Sequence, residues 1–253
     1  MVYLKNNSEI ALMREAGKIA GNALAYGGSL VKEGVSTLTI DAKIRSFITG
    51  HGAKPSFLNY NGFPNSACIS INEQVIHGIP SDRILKEGDI VKIDVGAFYK
   101  GFHGDTAATF AVGSISDEAK HLIETTRRSF FEAVKMARAD NRLNDVSKTV
   151  ESVATSEGYS VVTEFIGHGV GHNLHENPDV PNYDMGRRGI KLIPGMTFAI
   201  EPMVNTGTMD IRCLDNKWTI ITLDGKLSAH YEHTIAITEG EPIILTEPDE
   251  GCL

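Results

Sequence analysis

Four acidic residues of this sequence stand where apolar, strand-like runs begin or end. Asp94 closes Ile90-Val91-Lys92-Ile93, Asp105 opens Thr106-Ala107-Ala108, Glu201 follows Thr197-Phe198-Ala199-Ile200, and Glu232 precedes His233-Thr234-Ile235-Ala236. A lone carboxylate is costly to bury in such a setting, and several brought together repel unless cations offset them. Four negative charges are cancelled by two divalent cations, and a cation pair sharing a water is a route to amide hydrolysis. His168 lies in Gly167-His168-Gly169-Val170-Gly171, with His172 and His175 close behind. The flanking glycines suit a place where backbone passes close to another group. Oxygen-rich ligation with one imidazole suits Mn, Fe(II) or Co, with Zn also admissible.

Strands and turns must bring these groups together. Between Asp94 and Asp105 lie Gly96, Gly101 and Gly104, which predicts a hairpin with the two carboxylates meeting across its strands. Ser8 to Leu30 carries Ile10, Met13, Gly17, Ala20 and Leu24 at helical spacing, with Asn6 or Ser8 as cap. Asp117 to Ala139 is a second long helix candidate.

Comparing the chain with itself gives a further constraint. The segment Leu85-Lys86-Glu87-Gly88-Asp89-Ile90-Val91-Lys92-Ile93-Asp94 resembles Leu192-Ile193-Pro194-Gly195-Met196-Thr197-Phe198-Ala199-Ile200-Glu201. At nearly the same displacement, Ile40, Ile44, Ile48 and Gly52 match Val146, Val150, Ala154 and Gly158. The repeat predicts an α+β chain of two duplicated halves, with Asp94 and Glu201 in equivalent places near a pseudo-twofold axis.

Bulk properties exclude other classes. A chain of 253 residues with 42% hydrophobic and 22% charged content suits a packed globular protein. A formal net charge of −8 disfavours a direct nucleic-acid site. Neither a signal peptide nor an apolar run long enough to span a bilayer is evident. Cys68, Cys213 and Cys252 are odd in number and widely spaced, so neither a disulfide framework nor a thiolate zinc site is expected, and a reducing cytoplasm is. His-Glu-x-x-His, Walker A, Gly-x-Gly-x-x-Gly and Gly-x-Ser-x-Gly motifs are all missing.

Nearly end to end, the sequence resembles the type I methionine aminopeptidases. The resemblance rests on Cys68-Ile69-Ser70-Ile71-Asn72-Glu73, His77-Gly78-Ile79-Pro80, Ile93-Asp94-Val95, Gly104-Asp105-Thr106, Gly167-His168-Gly169-Val170-Gly171, Ile200-Glu201-Pro202-Met203 and Glu232-His233-Thr234, in that order. It implies the pita-bread fold, an α+β architecture with a central antiparallel sheet flanked by helices, as a single catalytic domain over residues 1–253. It implies two divalent metal ions held by Asp94, Asp105, His168, Glu201 and Glu232. Asp105 and Glu232 would bridge both ions, Asp94 would serve one, and His168 and Glu201 the other.

The resemblance also implies catalytic roles for Glu201 in proton transfer, for His77 near the scissile amide nitrogen and for His175 at the carbonyl oxygen. Tyr60, Phe63, Cys68, Leu174 and Trp218 would line the methionine pocket, although from the residues alone Trp218 suits a core as well as a pocket. Leu174 stands where Phe is common, Phe63 where Tyr is common, and Phe57 where a smaller residue is often found. The implied partners are N-termini of newly made polypeptides, with a transient ribosome contact, no membrane and a monomeric state. Two rivals share the fold: an Xaa-Pro peptidase, usually with an added N-terminal domain, and a non-catalytic binding protein that has lost metal ligands.

Overall fold

A computed structural model describes residues 1–249, so Cys252 lies outside the described residues. The first half begins with two helices whose starts are set by local chemistry. The Asn6 carboxamide oxygen accepts from the Ser8 and Glu9 amides, both at 3.0 Å, while Glu9 accepts from the Asn6 amide at 2.8 Å. That reciprocal cap opens α1, Asn7–Ser29. Ser36 caps α2, Thr37–Gly50. The strands β1 (Lys54–Pro55), β2 (Ala67–Ile71), β3 (Gln74–Ile76), β4 (Ile90–Tyr99) and β5 (Phe102–Ala111) follow.

The second half repeats the plan. Ser116 caps α3, Asp117–Met136, and α4 spans Leu143–Ser156. After them come β6 (Ser160–Val161), β7 (Gly167–Gly169), β8 (Glu176–Val180), β9 (Thr197–Ile200) and β10 (Met203–Asn205). The chain then runs through β11 (Ile211–Cys213), β12 (Ile220–Thr222), β13 (Ser228–His230), β14 (Glu232–Ala236) and β15 (Ile243–Ile244).

The internal repeat is visible in the elements. Helices α2 and α4 each have 14 residues, and each is followed by a glycine of positive φ, Gly52 at 73° and Gly158 at 81°. The repeated Gly88 and Gly195 have φ of 90° and 91°, a conformation that favours glycine, and each turns the chain into β4 or β9.

Among the described residues the main sheet has nine strands, with the order β1-β4-β5-β14-β9-β7-β8 and with β2 and β15 pairing β4 and β14. The pairings within it are antiparallel. One core packs α1 and α2 on β2 and β4 through Leu24, Ile40, Ile44, Ile69 and Ile93. A second packs α3 and α4 on β9 and β14 through Phe130, Val146, Val150, Phe198 and Ile235. No helix of the described residues is long and apolar enough to cross a membrane.

The predicted hairpin forms between β4 and β5, but its turn is only Lys100-Gly101, both with positive φ. Gly96 and Gly104 sit inside the strands instead, for packing reasons. A Cβ on Gly104 would lie 2.5 Å from the Gly17 Cα of α1, so these two glycines let the helix press against the strand that carries Asp105. Gly104→Ala is expected to destabilise the fold by about 1–3 kcal/mol in urea unfolding. A change below about 0.5 kcal/mol would contradict this close packing.

Candidate metal centre

Five side chains converge from five consecutive strands of the main sheet. Across the order β4-β5-β14-β9-β7 these are Asp94, Asp105, Glu232, Glu201 just beyond Ile200, and His168. The hairpin register pairs Asp94 with Ala107 and Asp105 with Gly96. The two aspartates are therefore diagonal neighbours on one face, not directly opposite as a simple hairpin reading suggests. Glu232 is also paired with Ala107, from the other side of β5.

This cluster carries strong electrostatic tension. Asp105, Glu201 and Glu232 are 3%, 9% and 2% exposed. Asp94 Oδ1, Asp105 Oδ1, Glu201 Oε1 and Glu232 Oε1 are buried without a hydrogen-bond partner. Among the described residues no lysine or arginine forms an ion pair with any of the four; only His168 and His230 approach. Burial pushes the Asp105 carboxyl up to about 7. Burial first, then the neighbouring carboxylates, push Asp94, Glu201 and Glu232 well above the ordinary range.

His168 is arranged as a donor of electrons. Its Nδ1–H donates to the Gly169 carbonyl at 2.9 Å, which leaves the Nε2 lone pair 3.8 Å from Asp105 Oδ2 and 3.6 Å from Glu201 Oε1. Burial holds this imidazole neutral, with its pKa lowered to about 3. The flanking glycines are required by crowding: a Cβ on Gly167 would meet the Ala199 carbonyl at 2.4 Å, and one on Gly169 the Asn177 carbonyl at 2.3 Å.

The donor set fits divalent cations. Donor atoms of Asp105, His168 and Glu232 lie within 4.8 Å of one another, as do those of Asp94, His230 and Glu232, so Glu232 is common to both groups. Unpartnered buried carboxylate oxygens with neutral imidazoles match first-row divalent ions. Cys68 is buried nearby, with burial and the carboxylates pushing its thiol well up, and it belongs to neither of these donor groups.

An apolar cavity of about 210 Å³ opens onto this cluster. Tyr60, Phe63, Cys68, Leu174 and Trp218 all line it, as do Phe57, Phe165 and Ile166. Trp218 is therefore a cavity residue, its ring edge-on to Phe63 with centroids 5.1 Å apart. The Asn216 side-chain oxygen accepts from the Trp218 and Thr219 amides at 3.0 and 2.9 Å and shapes the turn that presents the ring.

His77 and His175 both line the cavity. His77 has a φ of 56°, uncommon for a residue with a side chain, and follows β3 directly. The neighbouring Gly78 is locked against β2, where a Cβ would lie 2.2 Å from the Ile69 carbonyl. His175 shares a 2.9 Å hydrogen bond between its Nδ1 and the Tyr60 hydroxyl, and its ring lies 3.9 Å from that of His168. The adjacent Glu176 pairs with Lys5 at 2.5 Å and accepts from the Asn173 amide at 3.0 Å, which fastens this loop to the N-terminal segment.

Sequence reasoning missed Lys5, Glu176, Phe165, Ile166 and His230. A short spacing was an available signal for the last, since His230 stands two residues before Glu232 and their donor atoms come together.

Comparison with known proteins follows the same lines. The family model described as "Metallopeptidase family M24" matches residues 11–239. A methionine aminopeptidase of Clostridium perfringens is 52% identical over 246 residues, covering 97% of this chain and 99% of that protein. The crystal structure of a Thermotoga maritima methionine aminopeptidase superposes with a TM-score of 0.96 at 40% identity, covering 98% of this chain and 100% of that one. A prolidase from Pyrococcus horikoshii shares the fold with a TM-score of 0.78 at 26% identity, but this chain covers only 65% of it. With a pita-bread sheet, an acid cluster built for cations and near-complete coverage of such relatives, the chain belongs to the methionine aminopeptidases of metallopeptidase family M24.

Proposed function

We propose that Asp94, Asp105, His168, Glu201 and Glu232 hold two divalent cations, and that the adjoining apolar cavity takes the side chain of an N-terminal methionine. The chain is a metal-dependent hydrolase that removes N-terminal methionine, and its substrates are newly made polypeptides with a small second residue. The observation that carries the site assignment is the meeting of four buried, unpartnered carboxylate oxygens with an apolar cavity wall.

When bound, two divalent cations supply polarisation of the carbonyl and a lowered pKa for water. The protein's own groups do the rest. The apolar wall formed by Phe63, Cys68, Leu174 and Trp218 suits an unbranched thioether and excludes water from it. With the Tyr60 hydroxyl donating to His175 Nδ1, the His175 Nε2–H is free to donate to the substrate carbonyl oxygen as charge develops there. His77, which also lines the cavity, lies near the scissile nitrogen. Glu201, beside the departing nitrogen as well as among the cation ligands, carries a proton toward it as the amine leaves.

The direct test is cleavage of Met-Ala-Ser and Xaa-Pro peptides with Mn(II), Co(II) or Fe(II), and with chelator. Release of methionine that chelator abolishes is expected; cleavage only before proline, or none with any metal, would sink the proposal. Asp105→Asn is expected to lose metal binding and activity together, and full activity in that variant would refute a ligand role for Asp105. His175→Ala should lower kcat by roughly 10- to 1000-fold with metal content unchanged. Loss of metal in that variant would reassign His175 to the cation ligands.

A further inference from the structure

The imidazole of His230 has no place in the assignments above, although it sits at the same cluster. It is 2% exposed, and neither ring nitrogen has a hydrogen-bond partner. A buried polar ring left in this state is disfavoured unless something else engages it. Its Nε2 lies 3.8 Å from Glu232 Oε2, beyond hydrogen-bond reach.

The backbone of His230 is firmly placed. Both its backbone groups are tied to one side chain: the N–H donates to Thr109 Oγ1 at 3.0 Å, and the carbonyl accepts from the same hydroxyl at 2.8 Å. On the other side, β13 pairs with β10 so that His230 faces Met203. The side chain is thereby held toward Asp94 and Glu232, and a donor atom from each of the three lies within 4.8 Å of the others. Metal–ligand bonds of roughly 2.0–2.2 Å make a cage of about this size.

The cluster around His230 mirrors the one around His168. Each contains one aspartate and one imidazole, and both use Glu232. We propose that His230 is a further metal ligand, serving the cation position beside Asp94, so that each of the two cations has one imidazole. This rests on the two-cation reading above and adds a nitrogen donor to it.

The test loads the full-length protein with Co(II), counts ions by calorimetry, and counts imidazoles per ion by X-ray absorption. Two ions per chain with one imidazole per ion are expected. His230→Gln should halve that imidazole count and weaken binding of one ion by roughly 10–100-fold. Two ions sharing a single imidazole in the unaltered protein would overturn the proposal and leave the two-cation reading standing, whether or not the variant folds. An imidazole count unchanged in His230→Gln would also overturn it. Fewer than two ions per chain would overturn the two-cation reading and this proposal with it.

Discussion

Four carboxyl groups share the floor of one cavity, and no lysine or arginine among the described residues pairs with them. Apolar burial normally drives such groups apart or neutralises them by protonation. Here the sheet forbids the first outcome, because Asp94, Asp105, Glu232 and Glu201 ride on neighbouring strands whose registers are fixed by their pairing. The fold therefore holds together a charge arrangement that divalent cations relieve. Binding free energy and folding free energy are linked in such a site, since the unfolded chain offers no preformed cage.

Much else in the molecule serves to make this cluster rigid. The glycines at 17 and 104 bring α1 against β5 at the residue beside Asp105. Those at 167 and 169 let β7 approach its neighbours closely enough for His168 to reach Asp105 and Glu201. The Lys5–Glu176 pair and the Tyr60–His175 hydrogen bond place an imidazole at the cavity mouth from a loop that would otherwise be free to move. Asp94, Asp105 and His168 sit within strands, Glu201 and Glu232 at strand ends and His77 and His175 beside them in loops, so the paired strands supply the precision.

The sequence made the duplicated plan, the four acids and the Asp94–Asp105 hairpin legible, because strand period, turn glycines and internal repetition are local signals. The aspartates' diagonal register was not legible, since it depends on the turn being confined to Lys100-Gly101, with Gly96 and Gly104 serving helix and loop packing. Nor could spacing show that Trp218 faces the cavity, which follows from the Asn216 turn bringing it to Phe63. Lys5 and Glu176 are far apart in the chain and meet only in the folded form. Tertiary proximity of that kind leaves no mark in a single sequence, whereas the His230–Glu232 spacing did leave one.

Two divalent cations cradled by the carboxylate cluster, as proposed, would be directly visible to X-rays. Anomalous-scattering maps from crystals equilibrated with Mn(II) should show two peaks among Asp94, Asp105, His168, Glu201 and Glu232. A single peak there, or peaks only elsewhere on the protein, would contradict the account.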